Sequence, residues 1–169
     1  KRQGFGTELV ESALKILFPT AKSLRLDRDV TEKKGELERV IGEFKEGNAD
    51  FLIGTQMVAK GHDFPNVSLV GILLADLGMG VPDFRATERN LQLLLQVCGR
   101  AGRAEKEGHV VLQCLNPSTP IYDVLQSEQL FDSYENFIDS ELEDRSALNY
   151  PPFGQLALLH FHSLDLRSA

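Results

Sequence analysis

The stretch Gln96-Val97-Cys98-Gly99-Arg100-Ala101-Gly102-Arg103 closes a leucine-rich segment, residues 86–98. Leu91, Leu94, Leu95 and Cys98 recur there at helical spacing, which predicts a helix with one buried stripe. Arg100 and Arg103 are three residues apart. That is just under one helical turn, so the spacing predicts that both guanidiniums point the same way. Two forked, permanently charged donors on one edge form a receiver for a phosphate group. Gly99 and Gly102 remove side chains that would hold a polyphosphate away from the backbone. The arrangement suits a site that stabilises charge on a nucleotide's terminal phosphate during cleavage. A second reading is a helix C-terminus with its usual basic residues and a glycine cap.

Outward from this helix, the chain alternates helices with short apolar strands. Residues 7–18 read as a helix capped by Thr7, with Leu9, Val10, Ala13, Leu14 and Leu17 as its stripe. Residues 23–27 alternate like a strand. A helix from about Thr31 to Glu46 follows, with Gly47 as its stop. Strands are expected at 51–53, at 67–75, which is almost continuously apolar as if covered on both faces, and at 110–112. Residues 119–147 read as helical and acidic, and Tyr150-Pro151-Pro152-Phe153-Gly154 breaks the pattern. Residues 155–162 read as a further strand, in which His160 and His162 share one face. A metal site needs more ligands than that pair. The order predicts an α/β fold, a mostly parallel sheet with helices on both faces. Ligands in such sheets sit in loops at the carboxyl ends of strands.

The loop Gly54-Thr55-Gln56-Met57-Val58-Ala59-Lys60-Gly61-His62-Asp63-Phe64 lies at such an end. Thr55 offers a hydroxyl and Lys60 a point charge suited to phosphate. Gly61 permits close approach, and Asp63 offers an acceptor for a ribose hydroxyl or an arginine. An ordinary loop with Asp63 capping the next turn is the alternative. No phosphate loop of the G-x-x-x-x-G-K-[ST] type occurs, and Asp76 follows a strand without neighbouring acids. The arginines therefore need a nucleotide held by another domain.

The chain has 169 residues, 42% apolar and 25% charged, as in ordinary globular proteins. Its formal net charge of −7 argues against broad electrostatic binding of nucleic acid, although not against a local basic edge. Lys60, Arg85, Arg89, Arg100, Arg103 and Lys106 form such a cluster in the middle third. Arg85, Glu88 and Arg89 share one helical face, where a local salt bridge or a DNA phosphate contact fits. Acids concentrate at Glu128, Asp132, Glu135, Asp139, Glu141, Glu143 and Asp144, a solvated face or a docking surface. No apolar run reaches the roughly 18–20 residues of a membrane span. The start Lys1-Arg2-Gln3-Gly4, without an initiator Met or a secretory signal, suggests a piece of a longer protein. Cys98 and Cys114 fit buried thiols in a reducing cytosol.

The spacing of Thr55, Ala59, Lys60, Gly61 and Asp63 resembles motif V of superfamily 2 helicases, and Gln96 through Arg103 resembles their motif VI. The fuller strings GFGTELVE, RLDRD, DFLIGTQMVAKGHDFPNV, DFRATERNLQLLLQVCGRAGR and YPPF resemble the bacterial replication-restart DNA helicases of the primosomal protein N′ (PriA) family. The resemblance covers nearly the whole chain. It implies a RecA-like second motor lobe at residues 1–149. Residues 150–169 would then be a linker and the first strand of a C-terminal domain. It also implies Arg103 as arginine finger, Arg100 beside it on the γ-phosphate, and Gln96 orienting the attacking water or the phosphates. Asp63 would contact ribose or an arginine, with Gly61, Gly99 and Gly102 lining the nucleotide. Thr55, Gln56 and Lys60 would touch the DNA backbone or couple it to the nucleotide.

By the same resemblance ATP with magnesium is held mainly by a first lobe, and zinc by a cysteine-rich region upstream. The partners would be forked and single-stranded DNA, other primosome proteins and single-stranded-DNA-binding protein, in the bacterial cytoplasm. Asp27 and Asp29 match a family string, with no physical role beyond a strand-end turn. The lobe alone is expected to be inactive as an ATPase. Another superfamily 2 translocase, or a non-enzymatic DNA- or protein-binding module, remains open.

Overall fold

The computed structural model describes residues 6–27, 35–55, 64, 66–101 and 108–159. Its first helix, α1 (Thr7–Leu17), is capped by Gly6, not Thr7. The Gly6 carbonyl accepts the Leu9 and Val10 amides, and the Thr7 hydroxyl donates instead to Asp27 at 2.8 Å. Thr7 is thus already inside the helix, and its oxygen serves a tertiary contact. Strands β1 (Ser23–Leu26) and β2 (Phe51–Gly54) pair in parallel, Ser23 opposite Phe51 and Leu26 opposite Gly54. Between them lies α2 (Glu36–Lys45), which buries Val40 and Ile41. It ends as expected at Gly47. With φ at 79°, Gly47 adopts the left-handed conformation. Its amide reaches the Phe44 carbonyl while the Asn48 amide reaches that of Glu43. The expected start at Thr31 lies outside the described residues.

Strand β3 (Leu69–Ile72) is shorter than the apolar run 67–75 suggests. Leu74 adopts a left-handed conformation, φ 52°, and turns the chain into a 3-10 helix, Ala75–Gly80. Helix α3 (Ala86–Cys98) then leads to β4 (His109–Leu112), which pairs in parallel with β3. Leu69 is 58% exposed on β3 and Val111 59% on β4. One face of this pair is therefore open among the described residues, contrary to the two-sided burial that the apolar run suggests. The described strands form two parallel pairs, β1–β2 and β3–β4.

The acidic region is two helices, α4 (Pro120–Gln126) and α5 (Leu130–Ala147). Pro120 opens α4, where the missing N–H is harmless. Helix α5 buries only Phe137 and is otherwise largely a solvated face. Residues 155–159 are exposed and form no strand, and His160 and His162 lie outside the described residues. Two cores hold the elements. Leu91, Leu94, Ile121, Tyr122, Val124 and Phe137 cluster around α3, α4 and α5, while Leu26, Val40, Ile41 and Phe64 cluster around β1 and α2.

Candidate nucleotide-facing edge

The register of β1 and β2 brings Leu26 beside Gly54, so the residues that follow, Asp27 and Thr55, leave the same carboxyl end of the pair. Thr55 is exposed there. Asp27 accepts the Thr7 hydroxyl at 2.8 Å and the Arg25 guanidinium at 2.8 Å. Its carboxylate therefore ties α1 to β1, a role the sequence does not reveal. The loop's far end is anchored by Phe64, 4% exposed, whose ring meets Phe44 edge-on at 5.4 Å. Gln56, Lys60, Gly61, Asp63 and Asp29 lie outside the described residues.

Helix α3 carries the other group of candidate residues. Leu91 and Leu94 are buried and fix its inner face. Asn90, also buried, donates its side-chain amide to the Ala75 carbonyl at 2.8 Å. Gly78 makes room for it, since a Cβ there would stand 2.5 Å from Asn90 Oδ1. Gln96 is exposed in the last turn. Beyond Cys98 the chain tightens. The Gly99 amide reaches Leu95 O at 3.0 Å, Arg100 reaches Val97 O at 3.0 Å, and Ala101 reaches Cys98 O at 3.1 Å. Arg100 is thus half-buried in a turn past the helix rather than on its regular face. Gly102 and Arg103 lie outside the described residues.

Gly99 has φ −66° and ψ 3°, and a Cβ there would come no closer than 3.4 Å to Leu95 O. Among the described residues, neither the backbone angles nor the surroundings demand glycine at this position. The Cys98 thiol is pushed up by burial, so it stays protonated at neutral pH, and Cys98 and Cys114 are both half-buried free thiols.

The basic residues near the start of α3 divide their partners. Arg85 and Arg89 reach Asp83 at 3.3 and 2.6 Å, while Glu88 reaches Arg145 at 2.8 Å. Asp76 accepts the amides of Leu115 and Asn116 at 2.9 and 2.8 Å and the Tyr122 hydroxyl at 2.7 Å. Burial alone would raise its carboxyl pKa, but these bonds outweigh burial and hold it below the ordinary value. Burial, reinforced by Asp76, pushes the Tyr122 hydroxyl up. Asp76, Asn90 and Arg145 are polar anchors that single-sequence reasoning misses, because each depends on a partner distant in the chain.

These engagements bear on what the candidate residues can hold. Gln96 and Arg100 bring donors suited to phosphate. Asp27 and Asp76 already accept from protein donors, Thr7 and Arg25 for the first and Leu115, Asn116 and Tyr122 for the second. Among the described residues no group of three or more His, Cys, Asp or Glu could hold a metal. Two half-buried cysteines do not make a zinc set. No described helix is long and apolar enough to cross a membrane.

Residues 7–105 match the helicase conserved C-terminal domain family. The chain is 48% identical over 156 residues to replication restart protein PriA of Bacillus subtilis, covering 92% of this chain and 19% of that protein. It is 46% identical over 156 residues to replication restart protein PriA of Haemophilus influenzae, covering 92% and 21%. Against replication restart protein PriA of Treponema pallidum it is 42% identical over 166 residues, covering 98% and 24%. It thus spans about a fifth of the length of these relatives. The C-terminal domain of the DEAD-box protein Dbp5 superposes with a TM-score of 0.52 at 22% identity, covering 79% of this chain and 75% of that one. This likeness shows the α/β fold of a RecA-like helicase lobe. The chain belongs to the helicase conserved C-terminal domain family, as a lobe whose sequence is similar to that of the PriA replication restart proteins.

Proposed function

We propose that the chain is the second motor lobe of an ATP-dependent DNA helicase that restarts stalled replication forks in the bacterial cytoplasm. The observation that supports it most is the end of α3. A helix pinned by Leu91 and Leu94 delivers Gln96, Gly99 and Arg100 to its carboxyl end, and among the described residues nothing demands glycine at position 99. ATP, with its magnesium on a first lobe, supplies the phosphoanhydride whose cleavage drives the motor. Arg100 and Arg103 place positive charge on the terminal phosphate as the cleft closes. Gln96 orients the attacking water or the phosphates. Asp63 accepts a ribose hydroxyl or holds an arginine, and Gly61, Gly99 and Gly102 leave the backbone open to close approach. Thr55, Gln56 and Lys60 meet the DNA backbone and pass the cycle to it. Residues 150–169 begin a further domain. Forked and single-stranded DNA, single-stranded-DNA-binding protein and other primosome proteins are the partners of the whole helicase.

In the full-length helicase, Arg103→Ala lowers DNA-stimulated ATP hydrolysis by about 10³-fold or more, the scale of an arginine finger. DNA binding in a gel-shift assay persists. Retained hydrolysis refutes the assignment of Arg103. Forked DNA stimulates the wild type best, and a preference for RNA or unforked duplex favours another translocase. The 169-residue chain alone hydrolyses no ATP. Hydrolysis by it would overturn the need for a first lobe.

A further inference from the structure

Arg145 of helix α5 reaches the start of α3. Arg145 is 12% exposed and donates to Glu88 Oε2 at 2.8 Å, with Glu141 at 3.6 Å on its own helix. Its guanidinium carbon stands 5.1 Å from the centroid of the Phe84 ring, just ahead of α3. The Tyr150 ring reaches the same Phe84 at 5.7 Å. The Arg145 carbonyl accepts the Tyr150 amide at 2.8 Å, and the Asn149 amide reaches Ser146 O. With Asn149 at φ 55°, these two bonds form the turn that ends α5. The turn is closed again by the Phe153 and Gly154 amides, both on the Tyr150 carbonyl. One residue therefore holds α3 with its side chain and the exit of the chain with its backbone.

The other end of α3 carries Gln96 and the Gly99–Arg100 turn, about 15 Å along a rigid helix from Glu88. A helix buried along one face moves as a rod. We propose that Arg145 is a positioning residue that couples the nucleotide-facing end of α3 to the segment following Tyr150. Movement of Gln96 and Arg100 on cleft closure is then delivered to that segment rather than lost at the joint. The inference rests on the motor reading above and deepens it.

The test uses the full-length helicase with Arg145→Gln, Arg145→Lys, Glu88→Gln and the exchanged pair Glu88→Arg with Arg145→Glu. ATP hydrolysis, unwinding of forked duplex and thermal melting are read together. Arg145→Gln and Glu88→Gln keep kcat and KM for ATP within about twofold, while base pairs unwound per ATP fall by about tenfold, the scale of a lost coupling. Arg145→Lys and the exchanged pair recover part of that ratio. Hydrogen exchange adds a readout independent of unwinding. A non-hydrolysable ATP analogue changes protection at residues 150–159 in the wild type but not in Arg145→Gln. Equal losses of hydrolysis and unwinding, or an unchanged ratio, overturn the coupling role. If Arg145→Gln melts too low to assay, Glu88→Gln, which removes only one charge of the pair, decides. A wild type that unwinds no DNA instead refutes the motor reading, before any variant is compared.

Discussion

Asp76→Ala tests the reading of Asp76 as a structural anchor. Its carboxylate holds the 3-10 helix to the chain after β4 through three acceptor contacts, to Leu115 N, Asn116 N and the Tyr122 hydroxyl. Leu115 and Asn116 are exposed, so water can replace the carboxylate there at about 0.5–1 kcal/mol each. Tyr122 is only 3% exposed, and its orphaned hydroxyl costs a further ~1–3 kcal/mol. The expected loss is about 3 kcal/mol, a large share of a typical 5–15 kcal/mol stability. Tyr122→Phe alone costs about 1 kcal/mol, since the carboxylate keeps its two amides. In the Asp76→Ala background the same change removes an unsatisfied group, so it costs nothing or restores stability, a coupling of about 1–2 kcal/mol. Equilibrium urea unfolding of the four chains, followed by circular dichroism, measures the cycle. Additive losses, or an Asp76→Ala loss below about 0.5 kcal/mol, refute the reasoning.

The same site sets a pH signature. The Asp76 carboxyl is held below its ordinary value of 3.8, so it stabilises the fold above that pH, and the stabilisation is lost as pH falls through the lower folded value. The stability gap between wild type and Asp76→Asn is complete near neutrality and closes on acidification below about pH 4. The Tyr122 hydroxyl, raised above 10.0, contributes in the opposite sense. Its contribution is present below that pH and lost as pH climbs through the raised value.

Gly78→Ala drives a methyl group against buried Asn90 and costs about 1–3 kcal/mol in urea unfolding. Asn90→Ala in the same chain relieves most of the clash. Gly154→Ala puts a side chain against the Asn149 backbone carbonyl, which cannot swing away. It opens the turn after α5, seen as faster proteolysis at residues 149–154. Arg39→Ala leaves melting unchanged, because the Glu36 and Glu43 pairs it breaks lie on an exposed helix face.

What was legible follows from what local chemistry determines. The bounds of α3 and the stop of α2 at Gly47 read directly, because an apolar stripe of helical period and a left-handed glycine are properties of neighbouring residues. The end of β3 did not, because Leu74 turns into the left-handed region with nothing in an apolar run to announce it. Arg85, Glu88 and Arg89 read as one local cluster, yet Glu88 takes a partner 57 positions away. Asp27 directly follows β1 and Asp76 lies in the 3-10 helix after β3, and both hold the protein together. The sequence left Asp27 with no role beyond a strand-end turn and Asp76 without neighbouring acids, because the donors that occupy both come from elsewhere in the chain. Geometry supplies a criterion that the sequence lacks. A residue whose chemistry the fold consumes, such as Asp76, is accounted for by stability. Stability does not account in the same way for Gly99, whose backbone angles are ordinary and whose Cβ position meets nothing closer than 3.4 Å among the described residues.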